Sequence, residues 1–203
     1  MNPASIRHFL FTGNTNSSVT RNINEFKVFF GQFVSHDMSK TAGLIFNARP
    51  REQKNLQTSF LDLSNIYGTS EYGINYLRLK KKGMIKMVKC GDDILLSPDW
   101  NGITGCENSK YPCMLAGDLR LNQHPILTYL HVIWTLEHNR VAEKLYNLNP
   151  DWTDERLFQE ASKLVRAEYQ HIVYNELLPI IIGDKALSGS ASPRLSTIYF
   201  TTE

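Results

Sequence analysis

The sequence predicts a mostly α-helical protein with few short strands. Two long segments in its second half carry apolar residues at the spacing of one helix face. The first begins at Pro125, a residue suited to the first turn of a helix. The second begins at Thr153, and the two acidic residues after it favour a helix start. At 203 residues, of which 42% are hydrophobic, the chain is expected to form one domain with its own core.

Local signals along the chain predict the remaining elements. Apolar residues over 26–38 repeat at helical spacing and predict a helix. A shorter helix is expected over 71–82, ending at Gly83, and residues 84–88 are typical of a short strand or an extended segment. The Ser- and Gly-containing stretch 188–193 predicts a flexible linker.

Gln32, His36 and Asp37 lie within the first predicted helix. Gln32 and His36 are separated by four residues, so they share one face and could together hold a small polar ligand. A neutral His is also a proton acceptor near physiological pH. Asp37 points in another direction and is free to bind something else. Taken alone, the run from Gly31 to Asp37 is more typical of a surface His beside an Asp.

The segment 58–64 offers oxygen ligands at alternate positions. Thr58, Asp62 and Ser64 contribute side-chain oxygens and Phe60 contributes a carbonyl. In an extended loop, alternate residues face the same side, and such a set suits calcium, which takes six to eight oxygens. The pattern differs from an EF-hand, and a turn rich in Ser and Thr is the simpler interpretation of this segment alone.

Arg120 follows a Gly-Asp turn and precedes the helix that begins at Pro125. An Arg held in a loop between ordered elements can stabilise negative charge that develops during a reaction. The simpler alternative is a solvated loop Arg. The polar run 137–140 on the following helix could likewise be an ordinary exposed face.

Taken together and in this order, these segments resemble the animal haem peroxidase family, which includes peroxinectins, peroxidasins and leukocyte peroxidases. The matching motifs run from the first predicted helix to Gly183. They are Gly31-Gln32 through His36-Asp37, Arg51-Glu52-Gln53 leading into Thr58-Ser59-Phe60, Ala116-Gly117-Asp118 with Arg120, Glu137-His138-Asn139-Arg140, Leu148-Asn149-Pro150, and Leu178-Pro179 with Gly183.

The resemblance implies a helical fold, a haem b cofactor, a calcium ion and oxidation of a small reducing substrate by hydrogen peroxide. It implies that His36 is the distal histidine over the haem iron, that Gln32 lines the same cavity and that Arg120 is the distal arginine. These three residues are therefore the expected catalytic and haem-contacting set. The expected calcium ligands are Asp37, Thr58, Phe60, Asp62 and Ser64.

Two departures from the family limit what this chain is expected to do. Ser35 and Gln123 stand where some members carry the carboxylates that form ester links to haem, so any haem is expected to bind non-covalently. The histidines after Arg120, namely His124, His131, His138 and His171, lack the setting of the proximal iron ligand. His131 and His138 are interpreted as structural residues of their helix.

These departures predict a distal half of a peroxidase domain over 1–183 and a divergent, flexible tail over 184–203. Such a truncated chain is expected to be weakly active or inactive alone, and the missing C-terminal half is a candidate partner. The alternatives are a non-catalytic, calcium-stabilised pseudoenzyme or adhesion module, and a splice fragment without function.

Composition adds little about partners. The net charge is +2 and there is no basic stripe, so nucleic acid is not expected as a partner, and no apolar run is long enough for a membrane span.

The N-terminus lacks a signal-peptide pattern, although the family implies secretion. Asn16 begins a glycosylation sequon. Cys106 and Cys113 resemble a family disulfide, which leaves Cys90 over.

Overall fold

The computed structural model of the protein describes residues 25–41, 54–99, 102 and 113–183. Its elements confirm the prediction of a mostly α-helical chain with few short strands. One antiparallel hairpin is formed by the two strands. The helices are α1 (Glu25–Met38), α2 (Ser64–Tyr67), α3 (Glu71–Leu77), α4 (Pro125–Leu148), α5 (Asp154–His171) and α6 (Leu178–Ile182); a 3-10 helix spans Leu119–Gln123, a π-helical segment spans Ile172–Leu177, and the strands are β1 (Met87–Cys90) and β2 (Asp93–Leu96).

The two longest helices, α4 and α5, pack against each other and begin at the predicted residues. Pro125 opens α4, and the side chain of His124 before it accepts a hydrogen bond from Ile126 N at 3.2 Å. The Thr153 hydroxyl caps α5 by accepting from Arg156 N at 3.3 Å. In the part of the chain that the structure describes, no helix is long and apolar enough to cross a membrane.

Helix α1 also forms as predicted, and it packs on α4. The ring of Phe33 is fully buried and lies edge-on to two rings, at 5.0 Å from His131 and 6.0 Å from Tyr169. Trp134 adds a further edge-to-face contact with Tyr169 at 5.4 Å. This aromatic cluster fixes the C-terminal half of α1 against α4 and α5.

Helix α3 is shorter than predicted, because it ends at Leu77 rather than continuing over 71–82. Arg78 adopts an extended backbone conformation and is buried. Its guanidinium donates to Asp154 Oδ2 at 2.6 Å and to Glu155, and it lies 4.3 Å from the centre of the Phe158 ring. The ion pairs with the first turn of α5 therefore outweigh the local helical pattern.

The segment predicted as a short strand or an extended segment over 84–88 contains the start of β1 and an isolated bridge at Ile85. Pairing begins at Met87 and continues beyond the prediction to Cys90, which faces Asp93 across the hairpin. Cys90 is a free, exposed thiol, whereas Cys113 is disulfide-bonded. Cys106, Asn16, residues 51–53 and the predicted tail lie outside the described residues.

Gly117 allows the loop before Arg120 to lie directly against α2. Gly117 N donates to Ile66 O at 3.0 Å, and Asp118 N donates to Asn65 O at 2.8 Å. A Cβ atom at position 117 would lie 2.2 Å from Gly68 N, closer than non-bonded atoms can approach. Only glycine permits this contact, which joins the Arg120 loop to the helix that follows segment 58–63.

We expect Gly117→Ala to destabilise the protein, because the added Cβ meets backbone atoms that cannot rotate away. Overpacking of this kind costs about 1–3 kcal/mol, which corresponds to a melting-temperature drop of roughly 2–12 °C for a chain of this size. Gly31→Ala is the matched control. A Cβ there meets nothing within 4 Å in helix α1, so this change should be neutral or stabilising. Equal melting temperatures for Gly117→Ala and the unmodified chain would contradict the close contact.

Candidate active site

His36 lies near the C-terminal end of α1 and is 7% exposed. Its Nδ1 atom is buried and has no hydrogen-bond partner. The small remaining exposure leaves Nε2 as the ring nitrogen that a ligand can reach. Burial lowers the pKa of His36 below its ordinary value, and the guanidinium of Arg120 lowers it further. His36 is therefore a neutral base near neutral pH.

Arg120 is held against the end of α1 by both charge and backbone contacts. Its Nε donates to Asp118 Oδ2 at 2.7 Å, and its Nη2 contacts the same oxygen. Nη2 also donates to two carbonyls of the α1 end, His36 O at 3.1 Å and Ser39 O at 2.9 Å. The guanidinium is thus tied to the backbone of the residue that carries the imidazole.

Asp118 explains how this arginine keeps its position. It is fully buried, and although burial raises the pKa of its carboxyl, the hydrogen bonds and charge of Arg120 bring that pKa below its usual value. Lys40 approaches the other oxygen at 3.3 Å. Sequence reasoning placed Asp118 only in a turn motif; the signal available was its position two residues before Arg120, but nothing in the sequence indicated that it is buried.

Gln32 is the third predicted site residue, after His36 and Arg120, and it lies on α1. Its Nε2 donates to Gln123 Oε1 at 3.3 Å, so Gln32 on α1 faces the last residue of the 3-10 helix that carries Arg120. The neighbouring rings of Phe29 and His124 stack at 4.0 Å along the same contact. The structure therefore brings the helix face of Gln32 and His36 together with the 3-10 helix that carries Arg120 and Gln123.

Asp37 faces the opposite way and is fully buried. Its carboxylate accepts hydrogen bonds from Ser64 N at 2.6 Å, Leu63 N at 3.1 Å and the Ser64 hydroxyl at 3.1 Å. The same hydroxyl lies 2.7 Å from Asp37 O. Burial raises the pKa of Asp37 to about 6, and the nearby charge of Asp62 acts in the same direction. These bonds fix the residue next to His36 to segment 58–64.

The other predicted calcium ligands gather around the same point. The Thr58 hydroxyl donates to Asp62 Oδ1 at 2.7 Å and lies 3.4 Å from both Phe60 O and the Ser64 hydroxyl. Oxygens that bind one calcium ion at 2.3–2.6 Å lie about 3 Å from each other. Hard oxygens, two carboxylates and these spacings fit calcium. The cluster has only these two carboxylates, since the described ranges contain no group of three or more His, Cys, Asp or Glu side chains that could hold a metal ion, and its other oxygens are hydroxyls and a carbonyl.

The reason for this convergence differs from the prediction. An extended loop with alternate residues on one side is wrong, because Ser64 is the first residue of α2 and Leu63 before it has a left-handed backbone with φ of 57°. The oxygens converge because the chain turns around the buried Asp37 carboxylate. Backbone N–H groups at the start of α2 satisfy this charge, which is a common use of a helix start.

Two side chains of α5 hold the outside of this loop. Arg166 Nε donates to Asp62 O at 2.9 Å, and Gln170 Nε2 donates to Leu61 O at 2.8 Å. Nothing in the sequence pattern pointed to either residue, because each looks like an ordinary polar position on an amphipathic helix. They show that α5 supports the oxygen-lined loop as well as the core.

Comparisons with known proteins agree with these motifs. A family model described as animal haem peroxidase matches residues 43–199. The human peroxidasin homolog is 37% identical over 154 residues, which cover 71% of this chain and 10% of that protein. Chorion peroxidase of Aedes aegypti is 40% identical over 144 residues, which cover 70% of this chain and 18% of that protein.

Solved structures show the same fold. Peroxidase A from Dictyostelium discoideum aligns with a TM-score of 0.67 at 25% identity, covering 76% of this chain and 40% of that one. A fatty acid alpha-dioxygenase of Arabidopsis thaliana aligns with the same TM-score at 20% identity, which shows likeness of fold alone. The chain spans less than half the length of each of these relatives.

The extent of the family match bears on two predictions. It begins after α1, so the roles expected for Gln32 and His36 depend on their motif and on the structure rather than on that match. It also runs past Gly183 into residues predicted to be divergent. The domain boundary at 183 therefore stays a prediction.

We expect calcium to raise the melting temperature relative to the same protein in a chelator, and Asp62→Ala to remove most of that rise. At calcium 100-fold above its dissociation constant the stabilisation is about 2.7 kcal/mol, or roughly 5–10 °C for this size. Asp62 supplies one of the two charges in the oxygen cluster, and charge count sets much of the affinity.

Asp151→Ala is the control for loss of a negative charge, because Asp151 is exposed and lies outside the cluster. That variant should keep the full calcium response. A melting temperature that is indifferent to calcium in the unmodified chain would rule the site out.

Proposed function

This chain belongs to the animal haem peroxidase family, and from that premise we propose that it carries the distal side of a site where hydrogen peroxide oxidises a small reducing substrate. The observation that carries the proposal is the direct bond from Arg120 Nη2 to His36 O. It holds the positive charge of Arg120 at the end of α1, against the backbone of the residue that carries the neutral imidazole. These are the two kinds of group that cleavage of a peroxide needs.

His36 and Arg120 have distinct tasks in this proposal. His36 accepts a proton from hydrogen peroxide at Nε2 and returns it to the leaving oxygen, a role that contributes about 10²- to 10⁴-fold to a rate. Arg120 stabilises the negative charge that develops on that oxygen, and Asp118 keeps its guanidinium in place. Gln32, on the same face as His36, orients the peroxide by hydrogen bonding.

Haem b, when bound, supplies the iron at which peroxide is reduced. The donor set supports this cofactor, since Gln32, His36 and Arg120 come together along one contact between α1 and the 3-10 helix. Covalent attachment is not supported. Ser35 is exposed, Gln123 is bonded to Gln32, and neither residue carries a carboxylate that could form an ester.

Calcium is proposed as a structural ion beside this site. Its support is the oxygen cluster around Asp37, together with the position of Asp37 directly after His36 in α1. Loss of the ion would leave two neighbouring carboxylates, those of Asp37 and Asp62, without a compensating cation. The imidazole next to them would then lose part of its support, as happens when the groups that hold a functional residue are removed.

The histidines after Arg120 are engaged in other contacts. His138 Nε2 lies 2.9 Å from Gly83 O and its Nδ1 lies 3.1 Å from the Tyr67 hydroxyl. His131 Nδ1 lies 2.7 Å from Leu127 O, His124 caps α4, and His171 contacts Asn175 at 3.1 Å. This pattern supports the proposal that the protein ligand to the haem iron comes from elsewhere and that the 203 residues alone turn over weakly.

A surface of apolar side chains supports a partner that completes the domain. Phe26, Ile133, Leu136 and Ile180 are each more than a third exposed on α1, α4 and α6. Such a patch is unusual on a complete soluble domain. The chain covers 40% of the Dictyostelium peroxidase. We therefore propose that the remaining half of a peroxidase domain covers this surface.

A second candidate function is a calcium-stabilised, non-catalytic module. It is favoured by the contrast between a well-formed oxygen cluster and the four histidines after Arg120, each of which has a side-chain hydrogen bond within the protein. A splice fragment without function stays open too, and it would appear as an aggregated or molten chain. We also propose secretion, because the disulfide at Cys113 suits an oxidising compartment.

We expect the 203-residue chain with added haemin to oxidise guaiacol little faster than haemin alone. Refolding it with the C-terminal half of a relative, such as the Aedes aegypti chorion peroxidase, should raise turnover, and His36→Ala should reduce the restored rate by about 10²- to 10⁴-fold. Folding with calcium but without a Soret band in either mixture would favour the non-catalytic module. Strong turnover by the chain alone would contradict the proposal that the 203 residues lack a ligand to the haem iron. His171→Ala would then be the first variant to examine.

We also expect any bound haem to leave the protein on acid-acetone extraction, because Ser35 and Gln123 cannot form ester links. The measurement is the haem absorbance of the extracted and retained fractions. The double change Ser35→Asp and Gln123→Glu is the comparison, since it restores both carboxylates. Haem retained by the unmodified chain would refute non-covalent binding.

A further inference from the structure

Among the residues that the structure describes, two buried imidazole nitrogens have no hydrogen-bond partner. They are Nδ1 of His36 and Nε2 of His131. A buried polar atom that loses its bonds to water and gains none in the protein is costly, so such atoms normally have a partner that is a side chain or an ordered water. Both histidines are on helices that pack against each other, α1 and α4.

The packing places these two rings in the same region. The ring of His131 lies 5.0 Å from that of Phe33, which is one helical turn before His36 on α1. His36 also acts electrostatically on His131, and the charges of Arg120 and Asp118 act on both rings. The contact with Phe33 therefore places the His131 ring on the side of α1 that carries Phe33, one helical turn from His36.

The proton positions on His131 are fixed by its own helix. Its Nδ1 lies 2.7 Å from Leu127 O, and a carbonyl oxygen can only accept, so Nδ1 carries the hydrogen. Burial lowers the pKa of His131 to about 4, so the ring is neutral at physiological pH. Its Nε2 is then a lone pair and can only accept a hydrogen bond.

We propose that His131 is a positioning residue for His36. One buried water links His36 Nδ1–H to His131 Nε2 by two hydrogen bonds. The water is needed because neither nitrogen has a partner within hydrogen-bond distance. It accepts from His36 and donates to His131. This arrangement leaves His36 with a bare Nε2, which is the form that can take a proton from peroxide. Only this catalytic consequence rests on the proposed function.

The proposal has two rivals within the described residues. Asn65 Oδ1 is also buried without a partner, and its Nδ2 donates to Phe33 O at 3.2 Å. The Tyr169 hydroxyl is buried without a partner too, and its ring lies 6.0 Å from that of Phe33. An acceptor at either residue would produce the same proton position on His36. Replacing His131 distinguishes the proposal from both, because only the His131 pathway is lost when that ring is removed.

The test reads the tautomer of His36 directly, in the calcium-loaded chain without haem. Long-range ¹H–¹⁵N NMR of the histidine-labelled protein reports which ring nitrogen carries the hydrogen. We expect Nδ1–H in the unmodified chain. In His131→Phe the ratio of Nδ1–H to Nε2–H should fall roughly five- to tenfold, which is what loss of one ordinary hydrogen bond supports. His131→Gln retains an acceptor and should restore most of the ratio.

His138→Phe is the matched control, because it also removes a buried histidine of α4 but leaves the His36 region unchanged. It should lower the melting temperature without changing the His36 tautomer. An Nε2–H tautomer in the unmodified chain overturns the proposal, and so does an unchanged ratio in His131→Phe. If His131→Phe does not fold, His131→Leu takes its place, because it also removes the acceptor and should lower the same ratio. Failure of the peroxidase assay leaves this readout unaffected, so the two proposals can fail separately.

Discussion

The buried carboxylate of Asp37 is the interaction on which the rest of the site depends. Its bonds to Leu63 and Ser64 tie the end of α1 to the start of α2. The carbonyls of α2 then accept from Gly117 and Asp118, and Asp118 holds Arg120. Arg120 returns to α1 by donating to the carbonyl of His36. The chain of contacts closes on itself, so no part of it can move alone. A hydrogen bond to a charged group, such as those that the Asp37 carboxylate accepts, contributes about 1.5–3 kcal/mol.

The pKa values of Asp37 and Asp118 shift in opposite directions, although both aspartates lie in the same small region. Both side chains are fully buried. The pKa of Asp118 lies below its usual value because Arg120 and Lys40 are beside it, whereas burial and the charge of Asp62 raise that of Asp37. A raised pKa indicates a negative charge that lacks a positive neighbour. A cation bound beside Asp37 would offset the burial and the Asp62 charge that raise this pKa.

The sequence was sufficient for features that depend on local chemistry. Helix periodicity and capping residues predicted α1, α4 and α5, and motif order predicted which polar residues belong together. It failed where distant contacts decide the outcome. Arg78 leaves its helical pattern to reach Asp154, and segment 58–64 turns around Asp37 instead of running extended. The supporting roles of Asp118, Arg166 and Gln170 were equally invisible, because burial and long-range hydrogen bonds leave no periodic signal in a single chain.

The hydrogen bonds from α5 to the oxygen-lined loop also have a consequence for the order of folding. Arg166 and Asp62 are 104 residues apart in the chain, and Gln170 and Leu61 are 109 apart. The α4–α5 hairpin, by contrast, is built from contacts between neighbouring segments, which pay little loop-closure entropy and form early. On a ribosome the loop therefore emerges long before the side chains that complete it. The α4–α5 hairpin therefore forms first, and the oxygen-lined loop packs onto it last.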